Sequence, residues 1–149
     1  MFSLNQAAQI DLMGQINSEQ MGLLPGKLFQ ISGTGGQLDF VMGCLFSRDR
    51  KGKSVLGLYS TYKVLRELCQ SPPSSAVTVP RSLTQYIATE WGVAYLRGST
   101  VKERALALIH IAHPDHREWL FKEAKKIGIF PENYSMPLEK PDNVIVKRD

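Results

Sequence analysis

The feature with most chemical promise is Gly33-Thr34-Gly35-Gly36, three glycines in four positions. Without Cβ atoms the backbone can approach a ligand closely, and amides ahead of a helix can hold an oxyanion or a phosphate. A tight turn is the alternative reading of the same residues. The stretch is not a Walker loop, since no Gly-Lys-Ser/Thr follows, and it lacks the dinucleotide-binding spacing. A second cluster is His110-x-x-His113-x-x-His116. Imidazoles at steps of three invite a zinc reading. Pro114 lies among them, however, and breaks the helix that would align them, so they are read as surface and helix-end residues and no metal is assigned. Glu90 follows a predicted strand and precedes Trp91-Gly92, where it could line a cleft; Glu19 falls in a loop. Neither has a paired acid or base visible in the sequence, and no Ser/His/Asp or Cys/His arrangement stands out.

These residues need elements to position them. Leu38, Val41, Met42 and Leu45 recur at helical spacing after the glycines, so the loop opens a short helix. Ala8 to Leu12 alternates with period two and reads as a half-buried strand, Gly14 turns the chain, and residues 15–18 resume. Gly22 and Pro25-Gly26 mark a loop. Residues 48–53 form a charged turn, Ser54 to Tyr59 a buried strand, Val64 to Leu68 a second strand and residues 71–75 a loop. Ala76 to Val79 is a third β-rich run, stopped by Pro80, and Leu83 to Ala88 is a strand or a short helix. Thr100-Val101-Lys102-Glu103 fits a capping box, with Val101, Ala105, Leu108 and Ala112 on one face of the helix it opens. Pro114 then suits a first helical position and Gly128 the position after the last turn. Leu120, Ala124 and Ile127 share a face, and Lys125 and Lys126 complement the dipole. The tail from Pro131 reads as an extended arm packed on a neighbour. The organisation is one domain over 1–130 and a C-terminal tail over 131–149, and alternating strands and helices make the class α/β.

Composition narrows the classes. The chain has 149 residues, enough for one domain with a core, with 43% apolar and 21% charged residues. Net charge is +4 and the pI about 9.1. The basic residues are scattered, with small groups at 48–53 and 125–126, and no stripe of the kind that binds nucleic acid. They read as solvated surface or as a site that greets an anion. Cys44 and Cys69 make neither a disulfide framework nor a metal pair, which fits a reducing, cytoplasmic home. No basic-then-apolar leader begins the chain, and no stretch approaches the roughly 20 apolar residues of a membrane span.

Several motifs together resemble those of one family. Residues 32–41, Ser-Gly-Thr-Gly-Gly-Gln-Leu-Asp-Phe-Val, look like the Gly-Gly-Gln-x-Asp-Phe motif of the acetyl-CoA hydrolase/transferase family, which includes 4-hydroxybutyrate and butyrate:acetate CoA-transferases. Residues 11–19 resemble its preceding segment. Residues 89–98 match its Thr-Glu-Tyr-Gly stretch, with Trp91 for tyrosine, and residues 107–117 match its Ile-Ala-His-Pro-Asp-x-Arg signature. The four motifs come in the family's order and cover roughly residues 2–128.

The resemblance implies the α/β CoA-transferase fold (the NagB/RpiA/CoA-transferase type), a mixed sheet flanked by helices, represented by the later part of the family's second domain. It implies transfer of CoA between an acyl-CoA and a short-chain carboxylate such as acetate, butyrate or 4-hydroxybutyrate, through an acyl anhydride and a glutamyl-CoA thioester. The nucleophilic glutamate is expected upstream of this chain, so no catalytic residue is assigned. Gly35 and Gly36 are then the wall that faces the thioester and its oxyanion, and Gln37, Asp39 and Phe40 shape the pocket. Lys63 aligns loosely with a lysine near CoA, although residues 59–63 depart from the family's Pro-Ser-Thr run and lack its following glycines. Glu90 is a cleft candidate. CoA enters as a substrate, with no permanently bound cofactor. The expected partners are acyl-CoA, a short-chain carboxylate, the N-terminal portion of the same enzyme or a partner chain, and further copies in a homo-oligomer, with no nucleic acid and no membrane. A non-catalytic acyl-CoA-binding or interaction module and an acetyl-CoA hydrolase fragment are the alternatives.

Overall fold

A computed structural model describes residues 1–24, 27–61 and 76–146. Its centre is a five-stranded mixed sheet in the order β1-β6-β7-β8-β9, built from Phe2–Gln6, Lys53–Gly57, Tyr86–Thr89, Gly92–Tyr95 and Val144–Val146. β1, β6 and β7 run parallel; β8 and β9 are antiparallel to their neighbours. Between β1 and β6 lie two small antiparallel ladders and a helix. The first ladder is β2 (Gln9–Ile10) with β3 (Ile16–Asn17), the second β4 (Gln20–Leu24) with β5 (Lys27–Gln30), and the helix is α1 (Gln37–Leu45). After β8 come α2 (Val101–His110) and α3 (Pro114–Lys126).

The alternation of side chains along the strands fixes which face is inside. Leu56, Ile87, Ala94 and Val144 are paired across four strands and are all buried, in one cluster with Val41 of α1 and Leu108 and Ile109 of α2. Ser3 and Ser54 lie on this same face and are also buried. The alternate residues Phe2 and Leu4 are two-thirds exposed, at 66% and 68%. Helices α1 and α2 therefore cover one face of the sheet, and α3 packs on α2.

The helices obey their local signals. Thr100 caps α2 as half of a complete capping box: its hydroxyl accepts from the Glu103 amide, and the Glu103 carboxylate accepts from the Thr100 amide at 2.7 Å. Every residue from Arg104 to His110 is buried, as the wide apolar surface of this helix requires. Pro114 opens α3 after His113, which caps it through Nδ1, and Gly128 follows its end with φ +79°. Some faces differ from the expected ones. In α1 Met42 is exposed and Cys44 is buried in its place; in α3 Ile127 is exposed while Phe121 turns inward. Both substitutes lie three residues from a buried neighbour (Val41 and Ala124), so the stripe rotates to meet the sheet or the adjoining helix.

Other expectations are corrected. Ala8 to Leu12 contributes only the two residues of β2, because the chain turns at Asp11. Asp11 Oδ1 accepts from the amides of Met13 and Gln15 and completes that turn. Gly22 lies inside β4 rather than in a loop. Ala76 to Val79 makes a single bridge, Ile16 to Val79, instead of a strand. Leu83 to Ala88 resolves as the strand β7, shifted to Tyr86–Thr89. The tail folds back on its own domain: Phe130 and Tyr134 stack at 5.2 Å, and β9 extends the sheet beside β8. The strand expected at 64–68 and the loop at 71–75 lie outside the described residues.

One buried cation ties these parts together. Arg104 on α2 donates to the carbonyls of Met13 at 3.1 Å, Arg81 at 2.8 Å and Ser99 at 3.4 Å. Gly14 makes room for it: φ is +90° there, and a Cβ would come within 2.9 Å of the Arg104 guanidinium. Gly14→Ala is expected to lower stability by about 1–3 kcal/mol, from backbone strain and displacement of Arg104. The urea unfolding midpoint measures this, and a midpoint equal to the parent's would show that the arginine is not held at this turn.

Candidate active site

The three parallel strands stop at a common level. Gln6, Gly57 and Ala88 are paired across β1, β6 and β7 in the last rungs of the ladder, and the chain leaves the sheet just beyond each of them. Crevices form beyond the carboxyl ends of parallel strands because the connections there diverge to opposite sides. Here a cavity of about 370 Å³ is lined by Gln6, Gly57, Leu58, Tyr59, Ala88, Thr89 and Glu90. Its floor is small, Gly57 beside Ala88, and a Cβ added at Gly57 would meet no atom within 4 Å. The same row of the ladder lies on the face of the sheet away from the helices, since it alternates with the buried Leu56 and Ile87.

Glu90 is the charged group of this cavity. It sits in the turn between β7 and β8, and its carboxylate accepts from the Ser60 amide at 2.9 Å and from the Ser60 hydroxyl. Burial opposes the charge. The hydrogen bonds from the side chain and backbone of Ser60 and from its own amide, with the nearby His113, outweigh that and hold the carboxyl below the ordinary glutamate range. The turn itself is anchored: the Thr89 hydroxyl donates to the Ile111 carbonyl at 2.5 Å and accepts from the Trp91 amide at 3.1 Å. Trp91 meets the His113 ring edge-on at 5.2 Å. The end of α2 thus fixes where Glu90 points.

The glycine loop lies beside the cavity rather than in it. Gly35 takes φ +57°, a conformation that favours glycine, and Gly36 precedes the first residue of α1 with no side chain to cap the helix. Gln37 makes the connection to the cavity. Its Nε2 donates to the carbonyl of the lining residue Gln6 at 2.8 Å, and its Oε1 accepts from the Ser18 hydroxyl at 2.8 Å. Glu19 braces the loop from behind: one oxygen accepts from Thr34 at 3.3 Å and the other from Thr78 at 2.9 Å. Asp39 is exposed in the first turn, where its charge suits the helix dipole. Phe40 is also exposed, and its ring lies 3.5 Å from where a Gly36 Cβ would stand.

Of the residues singled out in the sequence, Glu90 lines the cavity and Gln37 reaches it through Gln6; Gly35, Gly36, Asp39 and Phe40 form the adjoining loop and helix start. Lys63 lies outside the described residues, as does Cys69. Among the described residues no group of three His, Cys, Asp or Glu side chains could hold a metal. His110 is buried with its Nδ1 2.8 Å from the Leu106 carbonyl, and burial pushes its pKa down. The sequence reading missed Gln6, Gly57, Ala88 and Ser60. The available signal was a glycine near the end of an apolar strand, followed at once by polar turn residues. No helix among the described residues is long and apolar enough to cross a membrane.

The chain is similar to known proteins over most of its length. The family model described as acetyl-CoA hydrolase/transferase C-terminal domain matches residues 1–124. The 4-hydroxybutyrate coenzyme A transferase of Clostridium kluyveri is 46% identical over 85% of this chain and 28% of its own. The butyryl-CoA:acetate CoA-transferase of Anaerostipes caccae is 43% identical over 86% of this chain and 28% of its own. Among solved structures, RipA from Yersinia pestis matches with a TM-score of 0.71 at 37% identity, over 87% of this chain and 26% of that one. A 4-hydroxybutyrate CoA-transferase from Porphyromonas gingivalis matches with a TM-score of 0.61 at 32% identity, over 85% and 27%. The fold is thus the CoA-transferase type, and the chain spans little more than a quarter of the length of these relatives.

The Ser60–Glu90 pair has a measurable signature. Its stabilisation is present above the unfolded-state pKa of glutamate and is lost as pH falls through the lower folded-state value. Carboxyl-carbon NMR should find Glu90 titrating below the ordinary glutamate range, and Ser60→Ala should move it upward. An unchanged midpoint in Ser60→Ala would mean that the serine does not set the charge.

Proposed function

The chain belongs to the acetyl-CoA hydrolase/transferase family, and on that premise we propose that it is the C-terminal, acyl-CoA-facing part of a CoA-transferase. The observation that carries the reading is the cavity at the carboxyl ends of three parallel strands, joined by the Gln37–Gln6 hydrogen bond to a glycine loop that opens a helix. The substrates are an acyl-CoA and a short-chain carboxylate of the acetate, butyrate or 4-hydroxybutyrate class, in keeping with the names of the relatives. CoA is a substrate, and no permanently bound cofactor is part of the scheme.

The chemistry divides between this chain and an upstream segment. A glutamate carboxylate from that segment attacks the thioester carbonyl, CoA leaves as thiolate, and a mixed anhydride forms. The thiolate then attacks the glutamyl carbonyl and releases the first carboxylic acid as its anion, leaving glutamyl-CoA. An incoming carboxylate reverses both steps and leaves as the new acyl-CoA. The role of this chain is to bind and orient. Gly35 and Gly36 direct backbone amides at the start of α1 toward the oxygen that gains charge, and Gln37, Asp39 and Phe40 shape the pocket wall beside them. Lys63 is assigned, on the resemblance alone, to the CoA side.

Glu90 stays ionised and faces the cavity, so the phosphates of CoA keep away from it. The uncharged acyl end is the part that suits a floor of Gly57 and Ala88 and a wall of Leu58 and Tyr59. At about 370 Å³ the cavity sits at the low end of the roughly 300–1,000 Å³ typical of ligand pockets, in line with a short acyl group. The buried thiol of Cys44 fits a reducing, cytoplasmic setting, and self-association into a homo-oligomer completes the proposal.

Calorimetry with acetyl-CoA tests the reading. The parent should bind, and Gly57→Val, whose Cβ would meet no atom within 4 Å, should weaken binding about tenfold or more while leaving the melting temperature equal or higher. In a direct assay of transfer from acetyl-CoA to butyrate, the chain alone should show no turnover. Turnover by the chain alone would overturn the division of labour. Absence of any binding would reduce the chain to a structural domain.

A further inference from the structure

The glycine loop has almost nothing of its own to hold it in place. Residues 31–35 are all exposed. A Cβ at Gly33 would meet no atom within 4 Å, and one at Gly35 would meet only the Gly33 carbonyl, at 4.0 Å. Among the described residues, no acceptor takes the backbone amides of Gly33, Thr34, Gly35 or Gly36. A stretch with no packed side chains and no backbone hydrogen bonds opens locally at little cost in free energy. Backbone amides stabilise a developing charge only when they are already aimed at it. A group outside the loop must therefore fix its path.

The segment Asn17-Ser18-Glu19 touches the loop at its entry, middle and exit. At the entry, the Glu19 carbonyl accepts from the amides of Ile31 at 2.7 Å and Ser32 at 3.2 Å. In the middle, the Thr34 hydroxyl donates to Glu19 Oε2 at 3.3 Å. At the exit, the Ser18 hydroxyl donates to Gln37 Oε1 at 2.8 Å. The segment is itself fixed from the other side. The buried Thr78 donates its hydroxyl to Glu19 Oε1 at 2.9 Å and accepts from the Ser18 amide at 2.9 Å. Asn17, also buried, accepts from the amides of Glu19 and Gln20 and donates to the Gln9 side chain and the Gln20 carbonyl. The contacts at entry and exit fix the two ends of the loop. Among the described residues, the Glu19 carboxylate alone joins a buried residue, Thr78, to the stretch between those ends, at Thr34, which directly precedes Gly35. We propose that Glu19 is a positioning residue of the site: it touches no substrate, and through Thr34 it sets the direction of the Gly35 and Gly36 amides. The inference rests on the reading that these amides face the thioester. Glu19 acts as two hydrogen-bonding atoms held at a fixed span. A glutamine has the same length and keeps one acceptor oxygen, and a threonine hydroxyl turns to donate or to accept, so glutamine can take its place.

Two readouts on the chain test it: backbone NMR relaxation without ligand, and infrared spectroscopy of acetyl-CoA isotope-labelled at the acetyl carbonyl. In the parent, the order parameters of residues 33–36 should lie near the ~0.85 of rigid backbone. The carbonyl band should move to lower frequency on binding, as amides polarise the C=O bond. Glu19→Ala and Thr34→Val should each bring these order parameters below about 0.6 and remove most of the band shift while acetyl-CoA still binds. The double variant should be no worse than either single one, because both act through one contact. Glu19→Gln should keep both readouts near the parent's. Thr34 is exposed, so Thr34→Val leaves the core intact even where Glu19→Ala weakens the fold. A merely structural role for Glu19 would lower the melting temperature in Glu19→Ala and leave the loop unchanged in Thr34→Val. A loop that stays rigid in both Glu19→Ala and Thr34→Val would overturn the proposal. So would Glu19→Gln as damaging as Glu19→Ala, because charge and not position would then be the operative property. Failure of the parent to bind acetyl-CoA would sink the functional reading, and the order parameters would still decide whether Glu19 fixes the loop.

Discussion

The parallel pairing of β1 with β6 and of β6 with β7 is the constraint from which the rest of the molecule follows. A parallel ladder forces each connection to travel the length of the sheet before the next strand begins. Between β1 and β6 the chain uses that excursion for two small hairpins, the glycine loop and α1. Because the strands point the same way, their carboxyl ends fall at one level, and Gln6, Gly57 and Ala88 meet there. The crevice is therefore a product of topology before any side chain is chosen. Side chains decide its character: a glycine and an alanine leave the space empty, and larger residues at these two positions would fill it.

Holding the crevice open requires its rim to be fixed, and polar contacts to the neighbouring elements do this. Gln37 ties the start of α1 to the last residue of β1, and Ser60 ties the turn after β6 to the turn after β7 through Glu90. Thr89 and Trp91 dock that second turn on the end of α2. Behind the glycine loop, the two carboxylate oxygens of Glu19 hold Thr34 and Thr78, which lie far apart in sequence. These contacts individually contribute little net stability, on the order of 1 kcal/mol, because each replaces bonds to water. Their value is geometric: each joins two segments that would otherwise move independently.

Local signals made much of this legible in the sequence. The capping box at Thr100, Pro114 at the start of α3, Gly128 after its end and the glycines before α1 all depend on residues within a few positions of each other, and all were found where expected. What depended on distant partners was not legible. β1, β8 and β9 carry no turn signal or apolar run that marks them in the sequence, and they are strands because the sheet offers each a neighbour. Met42 and Ile127 fit their helical stripes by spacing yet are exposed, since the surface each helix packs against is offset from the ideal stripe. At the site, Glu90 was identifiable from its place after a strand. Ser60, thirty residues away, could not be linked to it without the fold.

The charge of Glu90 shapes what the cavity can accept. The protein is cationic overall, at +4, and an anionic ligand is drawn to it from a distance. Within a few ångströms the nearest full charge counts for more than the net charge, because Coulomb energy falls with distance and salt screens the far groups over about 8–10 Å. Glu90 is held in its ionised form by Ser60 and cannot easily take up a proton to relieve a second anion beside it. A ligand with one anionic end and one neutral end is therefore oriented by the cavity, its neutral end toward the floor of Gly57 and Ala88 and its anionic end away from Glu90. A thioester of an acyl group has this polarity, with an uncharged reacting carbonyl and phosphates many bonds removed. A free short-chain carboxylate carries its charge on the reacting group itself, and its binding calls for a positive or hydrogen-bonding group that offsets Glu90.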